Sequence, residues 1–201
     1  YKRQDNVLLT IDTSGSGLNK RGYRLAQGEA PIKETLAASL IRLANWKGDS
    51  PLIDPFCGSG TIAIEACLIA QNIAPGFNRD FVSEEWNIMP PNIYDELRDE
   101  ADRMADYDKE IEVYASDIDP EMVEIAKRNA EEVGLGDIIQ FNVKDVNTLT
   151  IDSEGPVALV GNPPYGERIG DREEVEEMYR YIGSLMKQHP YLSTYILTSN
   201  K

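Results

Sequence analysis

A chain of 201 residues, 41% hydrophobic and 27% charged, is long enough to bury one sizeable core and short for two full domains. Its 20 basic residues against 35 acidic ones leave a formal net charge of -15, which excludes long-range recruitment of a polyanion by the surface as a whole. Two cysteines, Cys57 and Cys67, exclude a disulfide framework, and no apolar run suits a membrane span or a signal peptide, so free thiols and a cytoplasmic setting are expected.

Asn6 to Asp12 is apolar and β-branched and predicts a strand, followed by a turn at Thr13-Ser14-Gly15-Ser16-Gly17. Arg21-Gly22-Tyr23-Arg24 reads as a basic, exposed stretch. Pro31 suits the first turn of a helix whose Ile32, Leu36, Leu40 and Leu43 share one face and which ends near Gly48. Residues 1–50 are thus an N-terminal strand and helix leading into a core of residues 51–201.

That core opens with a short strand, Pro51 to Asp54, a glycine-bearing turn at Cys57-Gly58-Ser59-Gly60, and a helix from Thr61 to Ala70 with Glu65 as its single charge. A helix apolar nearly all round is a buried one. The acidic segment from about 75 to 110 predicts an insertion, a solvated flap with a short helix from Ile93 to Tyr107. Ile111 to Ala115 predicts the second strand. Asp119-Pro120 opens a helix with Met122, Ala126 and Ala130 on one face, stopped by Gly134. Strands at Ile138 to Val143, Val157 to Val160 and Ser193 to Thr198 follow, with a helix marked by Val175, Met178, Ile182 and Leu185. This alternation predicts an α/β fold, a parallel sheet with helices on both faces.

Asp54-Pro55-Phe56-Cys57-Gly58-Ser59-Gly60-Thr61 sets a strand, a tight turn and a helix start in succession, so backbone and helix amides can approach a ligand closely. The turn lacks the third glycine of a dinucleotide fingerprint, a basic residue for a pyrophosphate and a Gly-Lys-Ser/Thr ending, which disfavours nicotinamide, flavin and nucleoside triphosphate ligands. Asp54 instead suits a cationic amine, as in S-adenosylmethionine. Taken alone, such a turn is equally a structural strand-to-helix connection. Asp117, in Ser116-Asp117-Ile118-Asp119, can accept both ribose hydroxyls, while Asp119 reads as the helix N-cap. Asp145, beside Val146, can accept from an adenine amino group.

Directly after the fourth strand, Asn162-Pro163-Pro164-Tyr165 carries the most specific signal. Two prolines hold an extended backbone and cannot donate, so the Asn162 amide and the proline carbonyls form an acceptor array. Gripping both hydrogens of an exocyclic base amine favours a pyramidal nitrogen with its lone pair aimed at a methyl donor. Tyr165 can stack on the base. A cationic donor needs no strong base before attack, so His189, beside Pro190, reads as structural.

These three motifs resemble the amino-methyltransferase family with an Asn-Pro-Pro-Tyr signature. Asp12-Thr13-Ser14-Gly15, Lys20-Arg21-Gly22-Tyr23-Arg24 and Glu29-Ala30-Pro31-Ile32-Lys33-Glu34-Thr35-Leu36-Ala37 narrow the resemblance to its THUMP-associated branch, the bacterial RlmL-like enzymes that methylate guanine N2 of 23S ribosomal RNA. The resemblance spans almost the whole chain. It implies a Rossmann-like class I fold, S-adenosyl-L-methionine as donor, cofactor contacts from Asp54, Phe56, Cys57, Gly58, Gly60, Thr61, Asp117, Ile118, Asp145, Val146 and Asn162, and catalysis by Asn162, Pro163, Pro164 and Tyr165, with no metal. It also implies two further strands after the fifth, so the sheet is expected to be truncated there, and an RNA-binding THUMP domain before Tyr1. Such a module would supply phosphate contacts, with Arg21, Arg24 and Arg168 touching RNA near the pocket. Methylation of adenine N6 in DNA or of a protein glutamine amide uses the same acceptor array and stays open.

Overall fold

The computed structural model describes residues 2–3, 6–25, 31–164 and 172–198, and all structural statements concern these. Strands β1 (Lys2–Arg3) and β2 (Asn6–Val7) pair antiparallel, Lys2 opposite Val7. The strand expected over Asn6 to Asp12 is thus confined to its first two residues. Strand formation requires a ladder partner as well as β-branched side chains, and Leu9 to Asp12 join no ladder among the described residues.

Helix α1 (Glu34–Leu43) starts three residues later than Pro31, with Lys33 as its extended N-cap. Its buried face is Glu34, Ala37, Leu40 and Ile41, whereas Leu36 and Leu43, expected on that face, are exposed. The remaining elements alternate. Strand β3 (Leu52–Asp54) leads into α2 (Thr61–Ala70), and α3 (Ile93–Met104) follows, ending three residues before the expected Tyr107. Next come β4 (Val113–Asp117), α4 (Pro120–Glu131) and β5 (Ile139–Val143), then β6 (Val157–Gly161), α5 (Arg172–Gln188) and β7 (Leu192–Ile196). Strand β4 lies two residues later than Ile111 to Ala115. Its ladder runs on to Asp117, which pairs with Val143. In β7 the pairing begins a residue before Ser193, at Leu192 opposite Val157, and ends at Ile196. Short 3-10 turns occupy Val82–Glu85 and Val146–Thr148.

Five parallel strands form one sheet in the order β5-β4-β3-β6-β7. The chain winds outward from β3 through β4 to β5, then returns to β6 on the other side of β3. The order therefore reverses between β3 and β6, the place where open α/β sheets accept ligands at the carboxyl ends of their strands.

Helices lie on both faces, unevenly. Residues Ala37 and Ile41 of α1, Ile62, Ala63 and Ala66 of α2, and Ala126 and Ala130 of α4 join Leu52, Val113 and Ala158 in the main core. On the second face Met178, Ile182 and Leu185 of α5 pack with Val146, Ile53 and Leu159. The crossing from β5 to β6 uses a 3-10 turn and loop instead of an α-helix. A groove of about 340 Å³ consequently runs along that side of the sheet, past Tyr114, Ser116, Asn142, Lys144 and Ile151.

Candidate cofactor and catalytic site

The loop after β3 owes its shape to glycine. Gly58 and Gly60 have φ of +50° and +85°, values that L side chains rarely adopt. A side chain at Gly60 would also meet Cβ of Ala126 at 3.1 Å, so this glycine lets α2 close on α4, whereas Gly58 faces open space. The turn is tied to the neighbouring strand, with Cys57 N donating to Ser116 O at 2.9 Å and Gly58 N to Asp117 Oδ2 at 2.9 Å. Both cysteines are free and buried, and burial pushes both thiols up, Cys67 to about 12. Neither is poised as a nucleophile.

Three carboxylates follow the ends of adjacent parallel strands. Asp54 closes β3 and is completely buried; Oδ1 accepts from Phe56 N at 3.2 Å, while Oδ2 is buried with no hydrogen-bond partner. Burial, aided by the nearby Asp117 charge, pushes its carboxyl up to about 8 against the one backbone hydrogen bond. An orphaned buried oxygen of this kind lacks a cation or a donor. Asp117 ends β4, its second oxygen accepting from Asp119 N at 3.0 Å. Asp119 caps α4 by accepting from Glu121 N at 2.8 Å. Asp145, two residues beyond β5, accepts from Asn147 N at 2.9 Å and so fixes the turn that buries Val146. Ile118 is 69% exposed at the same edge, presenting an apolar surface to solvent.

Across the reversal point, Asn162 follows β6 directly. Asn162 is half-buried, Pro163 buried and Pro164 exposed. Gly161 lets the two arms close: a Cβ there would stand 2.9 Å from the Phe56 ring. The expected stacking residue Tyr165, like Arg168, lies outside the described residues. His189 sits after α5 and before β7, at the amino edge of the sheet, away from all of these groups.

The basic front stretch turns inward. Arg21 pairs with Glu65 at 3.3 Å, and Tyr23, 1% exposed, donates to the same carboxylate at 3.1 Å. Burial raises the Glu65 carboxyl, opposed by Arg21 and by both hydrogen bonds. Arg24 pairs with Glu34 at 3.1 Å and donates to Ile32 O and Thr61 Oγ1, each at 2.8 Å. Arg21 and Arg24, expected on the surface as RNA contacts, are therefore internal clamps. The signal was the lone charge of an otherwise apolar helix, which requires a partner when buried.

The segment expected as a solvated flap is divided. No residue of α3 is buried, but Arg79 is, and its guanidinium donates to the carbonyls of Ser14, Ser16 and Gly17 at 3.0, 2.7 and 2.9 Å. It also lies over the Phe81 ring, 4.9 Å from the centroid, and Ser83 Oγ donates to Thr13 O at 2.8 Å. This segment fastens the loop from Thr13 to Lys20 to the body of the domain.

A Rossmann-like sheet with a glycine turn after its first core strand, acidic residues after the next two and Asn-Pro-Pro after the fourth has the layout of a class I methyltransferase. Residues 21–201 match the family model described as UPF0020, RMKL-like, methyltransferase domain, and the chain belongs to this family of S-adenosylmethionine-dependent methyltransferases. YpsC of Bacillus subtilis (strain 168), whose name places it among RNA methyltransferases, is 56% identical over 198 residues, covering 98% of this chain and 51% of its own length. The ribosomal RNA large subunit methyltransferase K/L of Shewanella baltica (strain OS155) is 42% identical over 191 residues, 92% of this chain and 27% of its length. Among solved structures, a Listeria monocytogenes protein described as a predicted N6-adenine-specific DNA methylase superposes with a TM-score of 0.89 at 53% identity, over 95% of this chain and 50% of that one. SMU.472, described as a methyltransferase complexed with SAH, gives 0.88 at 45% identity, with 95% and 50% covered. This chain thus spans about half the length of YpsC and about a quarter of the K/L enzyme.

Proposed function

We propose that this domain holds S-adenosylmethionine at the carboxyl edge of its sheet and directs methyl transfer to the exocyclic N2 of a guanine in 23S ribosomal RNA. The observation that carries the reading is the pairing, across one reversal point, of a buried acidic group with one unpartnered oxygen, Asp54 Oδ2, with the acceptor segment Asn162-Pro163-Pro164. When bound, the cofactor supplies an electrophilic methyl group. Asp54 accepts from its ammonium, Asp117 from ribose hydroxyls and Asp145 from the adenine amino group. Phe56, Cys57, Gly58, Gly60, Thr61, Ile118 and Val146 line the same edge. The Asn162 side-chain oxygen and a proline carbonyl accept the two amine hydrogens, which directs the nitrogen lone pair outward for attack. Tyr165 stacks on the target ring. The proton leaves after transfer, so no residue need act as a strong base.

A surface of net charge -15 is a poor phosphate-binding face, and the preference for RNA rests on the names of YpsC and the K/L enzyme, with a THUMP module in the longer protein supplying the backbone contacts. The description of the Listeria neighbour favours a second reading, adenine N6 of DNA. Tritiated methyl transfer by the full-length protein to undermodified ribosomal RNA, genomic DNA and ribosomal protein separates the two: N2-methylguanine in the RNA establishes the first, and N6-methyladenine in the DNA replaces it. Asn162→Ala is expected to lower transfer by about 100-fold or more, the scale of losing one group aimed at the transition state. Its binding of S-adenosylhomocysteine, read by calorimetry, stays near that of the parent. Equal loss of both would remove Asn162 from the chemistry.

A further inference from the structure

The hydrogen bonds behind the glycine turn point to a residue outside the set of proposed ligands. Asn129 lies on α4 one turn after Ala126, which packs against Gly60, and is 1% exposed. Its Nδ2 donates to Ser59 O at 3.0 Å, and its Oδ1 accepts from Leu25 N at 3.0 Å. One buried amide therefore joins the turn to the front segment. A second link runs in parallel, from Arg24 Nη2 to Thr61 Oγ1 at 2.8 Å. Ser59 and Thr61 flank Gly60, and both are buried. The turn is held from behind at three successive residues, the first by Asn129, the second by contact with Ala126, the third by Arg24.

From this we infer that Asn129 is a positioning residue for the cofactor turn, coupling the docking of residues 21–25 to the affinity of the crevice. A turn with two left-handed glycines has few side chains to hold it; its Cys57, Gly58 and Gly60 amides are engaged by Ser116 O, Asp117 Oδ2 and Cys57 O, and the carbonyl of buried Ser59 takes its donor from behind. Asn suits this place because a single planar group offers a donor to one segment and an acceptor to the other. A carboxylate would repel Ser59 O, and an apolar side chain would remove the donor to Ser59 O and the acceptor for Leu25 N. The coupling is reciprocal: occupying the crevice tightens the front segment by the same factor by which the docked front segment tightens binding.

The inference rests on the reading that the crevice takes S-adenosylmethionine, and binding of S-adenosylhomocysteine to the parent chain tests that reading separately. The comparison is among the parent, Asn129→Leu and Leu135→Ala, the last removing a buried core side chain just beyond α4 without touching the turn. Calorimetry with S-adenosylhomocysteine is expected to show affinity about tenfold weaker in Asn129→Leu, the equivalent of one lost hydrogen-bond pair. Leu135→Ala, although thermally weaker, keeps the parent value. Hydrogen exchange at Ser59, Gly60 and Thr61 quickens in Asn129→Leu alone. If Asn129→Leu does not fold, the parent decides: adding S-adenosylhomocysteine slows exchange at the Leu25 amide. Parent-like affinity in folded Asn129→Leu, equal weakening by Leu135→Ala, or a Leu25 amide indifferent to ligand overturns the proposal.

Discussion

Helices α2 and α3 differ by only two residues in length and by nearly everything in what holds them. Helix α2 buries nine of its ten residues, has no side-chain cap at Gly60 and no charge in its first or last turn. Nothing local would keep it helical in water, and packing on both sides does. Helix α3 buries none, and instead places Asp95 and Glu96 in its first turn and Arg103 in its last, matching the helix dipole, while Arg98 reaches Glu84 at 2.6 Å. One helix is specified by its surroundings, the other by its own charges and a few anchors. Tolerance to substitution should divide the same way.

The largest effect is expected where α2 begins. Gly60→Ala combines a left-handed φ with contact on Ala126 and should cost about 3 kcal/mol, read as a fall in the denaturation midpoint. Next comes Arg79→Met, which keeps bulk but removes the donors to Ser14, Ser16 and Gly17. A loss of about 2 kcal/mol is expected, with new proteolytic cleavage between Thr13 and Lys20; unchanged cleavage would show that the loop holds itself. The buried carboxyl before the turn gives an effect of a different kind, one that depends on pH. With its folded value raised to about 8 from an ordinary 3.8, Asp54 keeps a proton that the unfolded chain gives up, so stability falls as pH rises from about 4 through 8. A cationic ligand reverses the preference. Affinity for S-adenosylmethionine should rise between pH 6 and 8, by at most about tenfold per unit, and the rise should vanish in Asp54→Asn. The smallest effect belongs to α3, where Asp99→Ala should change stability by less than about 0.5 kcal/mol.

The same contrast explains what could be read from the residues alone. Helix α2, bounded by Gly60 and uniformly apolar, was legible to the residue, as was the Asp119 cap of α4, because each is a local signature. The five core strands were legible as apolar runs, but their ends were displaced by up to two residues, since ladder partners such as Val143 opposite Asp117 decide where pairing stops. The strand from Asn6 to Asp12 is shorter than its apolar run because, among the described residues, the ladder extends only over Asn6 and Val7. The face of α1 was misread because Glu34, a charge, is buried there by Arg24, a residue ten positions away. Arg79 had no local signal either: its partners are carbonyls more than sixty positions upstream. At the site, the turn glycines and the order of the acidic residues were visible in the sequence; the unpartnered Oδ2 of Asp54 and the bonds from Asn129 to Ser59 and Leu25 required coordinates.

The uneven covering of the sheet gives the two halves of the crevice different backing. Strand β5 is an edge strand backed by α4 on one face and by the open groove on the other, whereas β6 lies between β3 and β7 with helices on both sides. Asp117 and Asp145 therefore stand on the half-covered side of the sheet, beside the groove, while Asn162 follows a strand covered on both faces. Under the roles proposed above, the donor's adenosine would rest against the side of the sheet that solvent reaches and the incoming amine against the side that helices enclose.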